Sequence, residues 1–278
     1  MTKRDERALV LGASGKVGRR VASRLHDRGV AVAAASRTGA VRFDWSDASS
    51  WEAAASGCTR AFVMAPDGVP VDPAFLRLAV ACGVRRLVLL SSRAIEEMGD
   101  DRLLAAEAAV RSAGAEWTIV RADWLDQNFD EGFLRDAVLA GEVAIPVGDA
   151  RQTFVDAADV AAVAACALVE DGHGGRTYEV GGPEALSFGE ALAIVSHASG
   201  LAVRHLGSAD DYLRVMTGFG LPREQVLREI AAFEALRARG DARVDDTVER
   251  VTGSPARPFR RWAEEAAARG AWAGGLAG

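Results

Sequence analysis

The 278-residue chain predicts an α/β fold: a doubly wound parallel sheet with a smaller, mostly helical C-terminal region. Three observations predict it. Short apolar runs alternate with helical stretches through the first 122 residues, the rhythm of successive strand–helix–strand units. Those runs are apolar along their whole length, as strands covered on both faces must be. A glycine-rich turn joins the first run to the first helix, which is where a Rossmann-type fold places one.

The elements follow in order. ALVLGA (8–13) reads as a buried strand, and 16–29 as a helix with Val17, Val21 and Leu25 on one face and Gly29 as its stop. Residues 30–37 and 41–45 are the second and third strands, and 46–57 a capped helix. RAFVMAP (60–66) is a fourth strand closed by proline, 73–83 a helix, and RRLVLLSS (85–92) a fifth strand. A helix over 101–114 leads to a sixth strand at 116–122. The regularity then breaks through 122–152. Residues 153–169 read as a strand entry followed by an apolar helix, and 176–182 as a strand. Helices are predicted over 187–199, where Ser187 and Glu190 form a capping box, and over 209–216, 223–239 and 258–269. The glycine-rich tail from Gly270 reads as frayed. Residues 1–121 with 153–182 would then form a dinucleotide-binding unit, and 122–152 with 183–278 a substrate-binding lid over its strand ends.

Composition excludes several classes of function. Hydrophobic residues are 49% and charged residues 26%, so the chain is neither disordered nor fibrous. A net charge of −6 argues against nucleic acid as a partner, since phosphate neutralisation needs clustered cations. Cys58, Cys82 and Cys166 form no framework, and the four histidines lack metal-ligand spacing, so no metal is expected. No stretch has the length of a membrane span, and the charged N-terminus is no signal peptide, which predicts a cytoplasmic protein.

The sharpest motif is Gly12-Ala13-Ser14-Gly15-Lys16-Val17-Gly18, leaving a strand and opening a helix. Glycines here permit a tight turn, close approach of backbone to a diphosphate, and close packing of helix on sheet. The helix N-terminus then faces the negative charge. About twenty residues on, an NAD site would carry an acidic residue. Ser36-Arg37 stands there instead, and a guanidinium beside a hydroxyl suits a 2′-phosphate, which predicts NADPH. Asp44 and Trp45 are candidates for the adenine end. Met64-Ala65-Pro66, above the glycine turn, leaves room for a ribose.

In the segments GASGKVG, ASR, FDWSD, FVMAP, RRLVLLSS, the run from Ala105 to Phe129, TFVDAADVA, YEVGGPEALSF and ARPFRRWAEE, the chain resembles the NmrA-like branch of the atypical short-chain dehydrogenase/reductases. The diagnostic stretch gives Thr118, Arg121 and Asn128, with Ala122 and Leu125 replacing a proline and an aromatic. The resemblance implies an NADPH-dependent oxidoreductase of quinones, enones or ketones. Alternatively it implies a non-catalytic dinucleotide sensor, which would act through a protein partner. Many such reductases use a tyrosine with a lysine four residues on, because tyrosine titrates near 10 unaided. Gly99 and Leu103 stand at those positions here. Ser91, Ser92 and Asp123, at strand ends, are the remaining candidates for a proton donor, and Ser91 also for cofactor contact. Otherwise the substrate supplies its own proton, as an aromatic ketone with a neighbouring hydroxyl does. Trp124, Phe129, Phe133, Met216, Phe219 and Leu221 are candidates for an apolar pocket for a flat aromatic small molecule. Tyr178 reads as structural. Tyr212 lies in the lid, where packing is its expected role.

Overall fold

The computed structural model describes residues 6–273. Among these a seven-stranded sheet runs in the order β3-β2-β1-β4-β5-β6-β8, every neighbouring pair parallel. The strands are β1 (Arg7–Leu11), β2 (Ala31–Ser36), β3 (Val41–Arg42), β4 (Arg60–Val63), β5 (Arg86–Ser92), β6 (Glu116–Ala122) and β8 (Arg176–Val180). The order reverses direction between β1 and β4, and a crevice opens there at the carboxyl ends of the strands.

Helices cover both faces, which explains the unbroken apolar strands. Successive side chains of β1 point opposite ways. Ala8 and Val10 pack against α1 (Lys16–Asp27) and α7 (Ala157–Val169). Leu9 and Leu11 pack on the face carrying α2 (Trp51–Ala55), α3 (Pro73–Ala81) and α5 (Asp101–Arg111). Helix α1 buries the predicted Val17, Val21 and Leu25, and Gly29 follows it at φ +74. Helix α7 is nearly all small or β-branched and lies against α1, β5 and β6 with most of its residues buried.

The second half has its own aromatic core. Phe129, Phe154, Phe188, Phe259 and Trp262 are each at most 1% exposed and meet edge-on or tilted, with centroids 5.0–6.2 Å apart. Around them lie α8 (Phe188–Ser199) and α12 (Phe259–Ala268), while α9 (Ala209–Gly218) and α10 (Arg223–Arg239) pack on each other. The capping box at Ser187 and Glu190 is formed in both directions.

Several expectations need correction. The strand entry before α7 reduces to isolated bridges, Leu125 with Val155 and Gln152 with Leu186. A separate parallel pair, β7 (Glu142–Ala144) with β9 (Arg204–Leu206), lies in segments read as irregular or helical. Short helices α4 (Ile95–Met98), α6 (Arg135–Leu139) and α11 (Thr247–Thr252) were also not expected. The tail expected to fray is held at Trp272, which is 4% exposed and donates its indole N–H to the Phe129 carbonyl at 2.8 Å. Residues 1–5 and 274–278 lie outside the described residues. Among the described residues no helix is long and apolar enough to cross a membrane, and no group of His, Cys, Asp or Glu is arranged to hold a metal ion.

Candidate active site

The glycine turn sits at the switch between β1 and β4. Gly12 has φ +64, in the left-handed region where a side chain is strained. A methyl group on it would also meet the Met64 sulfur at 2.4 Å. A methyl on Gly18 would lie 2.2 Å from the Gly12 carbonyl oxygen, so α1 can approach the strand end this closely only with glycine there. The Ala13 N–H donates to Ala35 and the Gly15 N–H to Gly12, which fixes the turn. Ser14 is exposed at its tip. Gly15 caps α1 with no side-chain hydrogen bond, and no acidic residue stands in the first turn. The positive end of α1 is thus left to an external anion, and this cradle fits a dinucleotide diphosphate.

A cavity of about 720 Å³ runs from this turn across the carboxyl edge of the sheet. Gly12, Gly15, Lys16, Val17 and Gly18 line one end, Met64, Ala65 and Pro66 the side, and Ser91, Ser92 and Asp123 the floor. The structure therefore brings most of the predicted residues together. The Lys16 ammonium donates to Asn128 Oδ1 at 2.7 Å, and burial lowers its pKa. Ala13, Ser14, Ser36, Arg37, Asp44 and Trp45 do not line the cavity. Arg37 is exposed beyond the end of β2, close enough to Asp44 to lower that carboxylate's pKa after the dominant hydrogen bonds from Ser46. The Ser36 side chain lies beside Gly39, where a methyl group would meet its hydroxyl at 2.7 Å. Asp44 accepts from the Ser46 N–H and hydroxyl, while Asp47 caps the following 3₁₀ turn. Trp45 donates its indole N–H to the Met64 carbonyl at 3.1 Å and packs edge-on against Phe43 and Phe75.

Of the candidate proton donors, Ser91 and Asp123 are firmly engaged and Ser92 is not. The Ser91 hydroxyl donates to Glu107 at 2.8 Å. Glu107 is fully buried, yet hydrogen bonds from Arg121 and Ser91 outweigh that burial and hold its carboxyl below the usual range. Ser92 makes only long contacts, to the Arg93 and Ala122 carbonyls at 3.3 and 3.5 Å. Asp123 accepts from the Thr153 hydroxyl and N–H and from the Trp124 N–H, with Arg93 at 3.5 Å. Burial raises its pKa against those bonds. Tyr178 bonds to His173, and Tyr212 donates to Glu229 at 2.8 Å; both lie away from the cavity. Burial, then Glu229, raises the Tyr212 pKa further still.

The aromatic candidates divide. Trp124 and Phe133 line the cavity, whereas Phe129 is fully buried beneath it. Met216 and Leu221 pack between α9 and α10, and Phe219 is 77% exposed outside. Several lining residues were missed. Phe233 stacks on Trp124 at 6.3 Å, and Leu236 and Arg239 continue the α10 wall. Met98, Arg102 and Leu103 also line it, α4 lying against both α10 and α5. Leu103, at the position of the family's lysine, thus presents an apolar surface. Thr118 and Arg121 of the diagnostic stretch are braces: Thr118 donates to the His173 carbonyl, and Arg121 bridges Glu107 and Glu96.

Residues 12–171 match the NAD(P)H-binding family. The chain belongs to that family. It is 36% identical over 273 residues to the (4-alkanoyl-5-oxo-2,5-dihydrofuran-3-yl)methyl phosphate reductase of Streptomyces griseus, covering 92% of this chain and 96% of that relative. It is 31% identical to the NAD(P)H azoreductase of Xenophilus azovorans, covering 94% and 98%. The NADPH-dependent quinone oxidoreductase QOR2 of Escherichia coli, solved with NADPH, shares the fold with a TM-score of 0.74 at 20% identity, over 93% of this chain and 99% of that one. The chain is an NAD(P)H-dependent oxidoreductase.

Proposed function

We propose that the protein is an NADPH-dependent ketoreductase that reduces a ketone on a polycyclic aromatic, polyketide-type metabolite, such as an angucyclinone ketone in antibiotic biosynthesis. Gly12–Gly18 would hold the diphosphate, with Ser36 and Arg37 at the 2′-phosphate and Asp44 and Trp45 at the adenine. Met64–Pro66 and Ser91 would line the path of the ribose and nicotinamide. When bound, the reduced nicotinamide supplies the hydride. Trp124, Phe133 and Phe233 orient a flat substrate and exclude water from the apolar part of the cavity.

One observation carries this reading: an aromatic-walled cavity in which Ser91 and Asp123 are held by other partners and Ser92 makes only long contacts to backbone carbonyls. A substrate hydroxyl bonded to its own ketone meets that condition, because it stabilises the developing alkoxide and passes it a proton. The test is NADPH oxidation with a peri-hydroxy aryl ketone and with its O-methyl ether. Turnover of the first and loss with the second is expected; equal turnover rejects the substrate-assisted step.

A second reading is a quinone or enone reductase of the same cavity. The names of the relatives favour it, one being a reductase of a conjugated oxo-dihydrofuran and the other of azo compounds. Product analysis separates the two, since an enone would yield a saturated C–C bond and a quinone a hydroquinone, where a ketone yields a secondary alcohol. These same names support turnover over a non-catalytic sensor.

A further inference from the structure

We propose that the cavity receives an anionic group of its substrate, a carboxylate or a phosphate ester, between Arg102 and Arg239. This deepens the reductase reading and rests on it for the identity of the cavity.

The charges that line the cavity do not cancel within it. Its carboxylates are Asp67 and Asp123. Asp123 lies 3.5 Å from the buried guanidinium of Arg93, which also pairs with Glu179 at 3.0 Å and Asp245 at 3.5 Å. Asp67 lies near enough to Lys16 to support the lysine's charge. The cations that remain in the lining are Arg102, at the start of α5, and Arg239, at the end of α10.

Both are oriented from behind. Arg102 reaches Asp100 at 3.3 Å and the Val69 carbonyl at 3.4 Å. Arg239 pairs through Nε with Glu97 at 3.0 Å. Neither Asp100 nor Glu97 lines the cavity. The carboxylates therefore hold the guanidinium groups from outside the wall, while the arginine residues contribute to its inner surface. Their side chains are 22% and 34% exposed, so most of their surface is already packed. A guanidinium carries five N–H donors, and one carboxylate partner leaves others for a ligand. Packing an uncharged substrate against them would remove water from their remaining N–H donors without replacing those bonds. A carboxylate or phosphate restores those bonds as charge-assisted ones. Met98, Leu103, Phe233 and Leu236 give the lining apolar surface as well. The ligand that fits has a flat apolar body and one anionic substituent.

Calorimetry on the NADP-saturated protein tests this without turnover. The probes are 2-naphthol, 2-naphthoate and 2-naphthyl phosphate, and saturating NADP keeps the phosphate out of the glycine turn. Both anions are expected to bind about tenfold more tightly than 2-naphthol, and the tighter of the two identifies the source of the charge. Arg102→Gln and Arg239→Gln should each weaken the anions about fivefold while 2-naphthol and NADP stay within about twofold. Equal affinity of all three probes for the unaltered protein overturns the proposal, as does failure of both anions to bind. Equal weakening of all three probes in the variants overturns it too. The reductase reading fails on a different readout, the absence of NADPH oxidation with the aryl ketone.

Discussion

Gly18 carries its argument in one distance. Its α-carbon faces the Gly12 carbonyl so closely that Gly18→Ala forces helix and strand apart. The change should cost about 1–3 kcal/mol in denaturant unfolding and abolish NADPH binding measured by fluorescence. Arg37→Ala touches no packing. It should weaken NADPH about tenfold or more and leave NADH within about twofold, and equal loss of both would remove the 2′-phosphate assignment. Asp130 gives a pH effect of known sign. Burial and the neighbouring Glu131 push its pKa up to about 6, above its unfolded value. The native state therefore binds the extra proton, and the protein loses stability as pH rises from about 4 to about 6. Asp130→Asn should raise the melting temperature at pH 8 and leave it little changed at pH 4. The glycine turn was legible residue by residue because each position answers to local backbone geometry. The roles of Ser91 and Asp123 were not, since their partners Glu107 and Thr153 lie 16 and 30 residues away.

At the scale of elements, the long apolar strands and the capped helices could be read directly. Ser187→Ala should remove about 1 kcal/mol by breaking the capping box, and a thermal melt should show a fall of about 2–4 °C. Elements that escaped the sequence are short or depend on distant partners. Helix α4 spans Ile95–Met98, too few residues for a periodic pattern, and starts from Ala94 at φ +56. A local reading does not place alanine in that left-handed region. Strands β7 and β9 pair Glu142 with Arg204 across 62 positions. Each has three residues, and only their meeting makes them a sheet.

Across the whole molecule, the cavity is a joint product of the sheet's carboxyl edge and the helices of the second half. The sheet's share was visible in the motifs. The share of α10 was not, because Phe233, Leu236 and Arg239 read as positions on an ordinary amphipathic helix. Trp124→Ala and Phe233→Ala should each lower kcat/KM for a polycyclic ketone about tenfold or more with the NADPH dissociation constant unchanged. Stopped-flow and binding measurements separate these effects, and a parallel loss of cofactor affinity would move both residues out of the substrate's share of the cavity.

The seating of Trp272 on the Phe129 carbonyl ties the far end of the polypeptide to the segment that holds Lys16 through Asn128. Trypsin has a target just before it, because the Arg269 side chain is 55% exposed. Cleavage there would withdraw the indole, leave a void beside Trp262, and loosen the anchorage of an ammonium group more than a hundred positions away in sequence. Digestion followed by mass and coenzyme affinity should find the clipped species and the weakened holder of NADPH to be the same molecules.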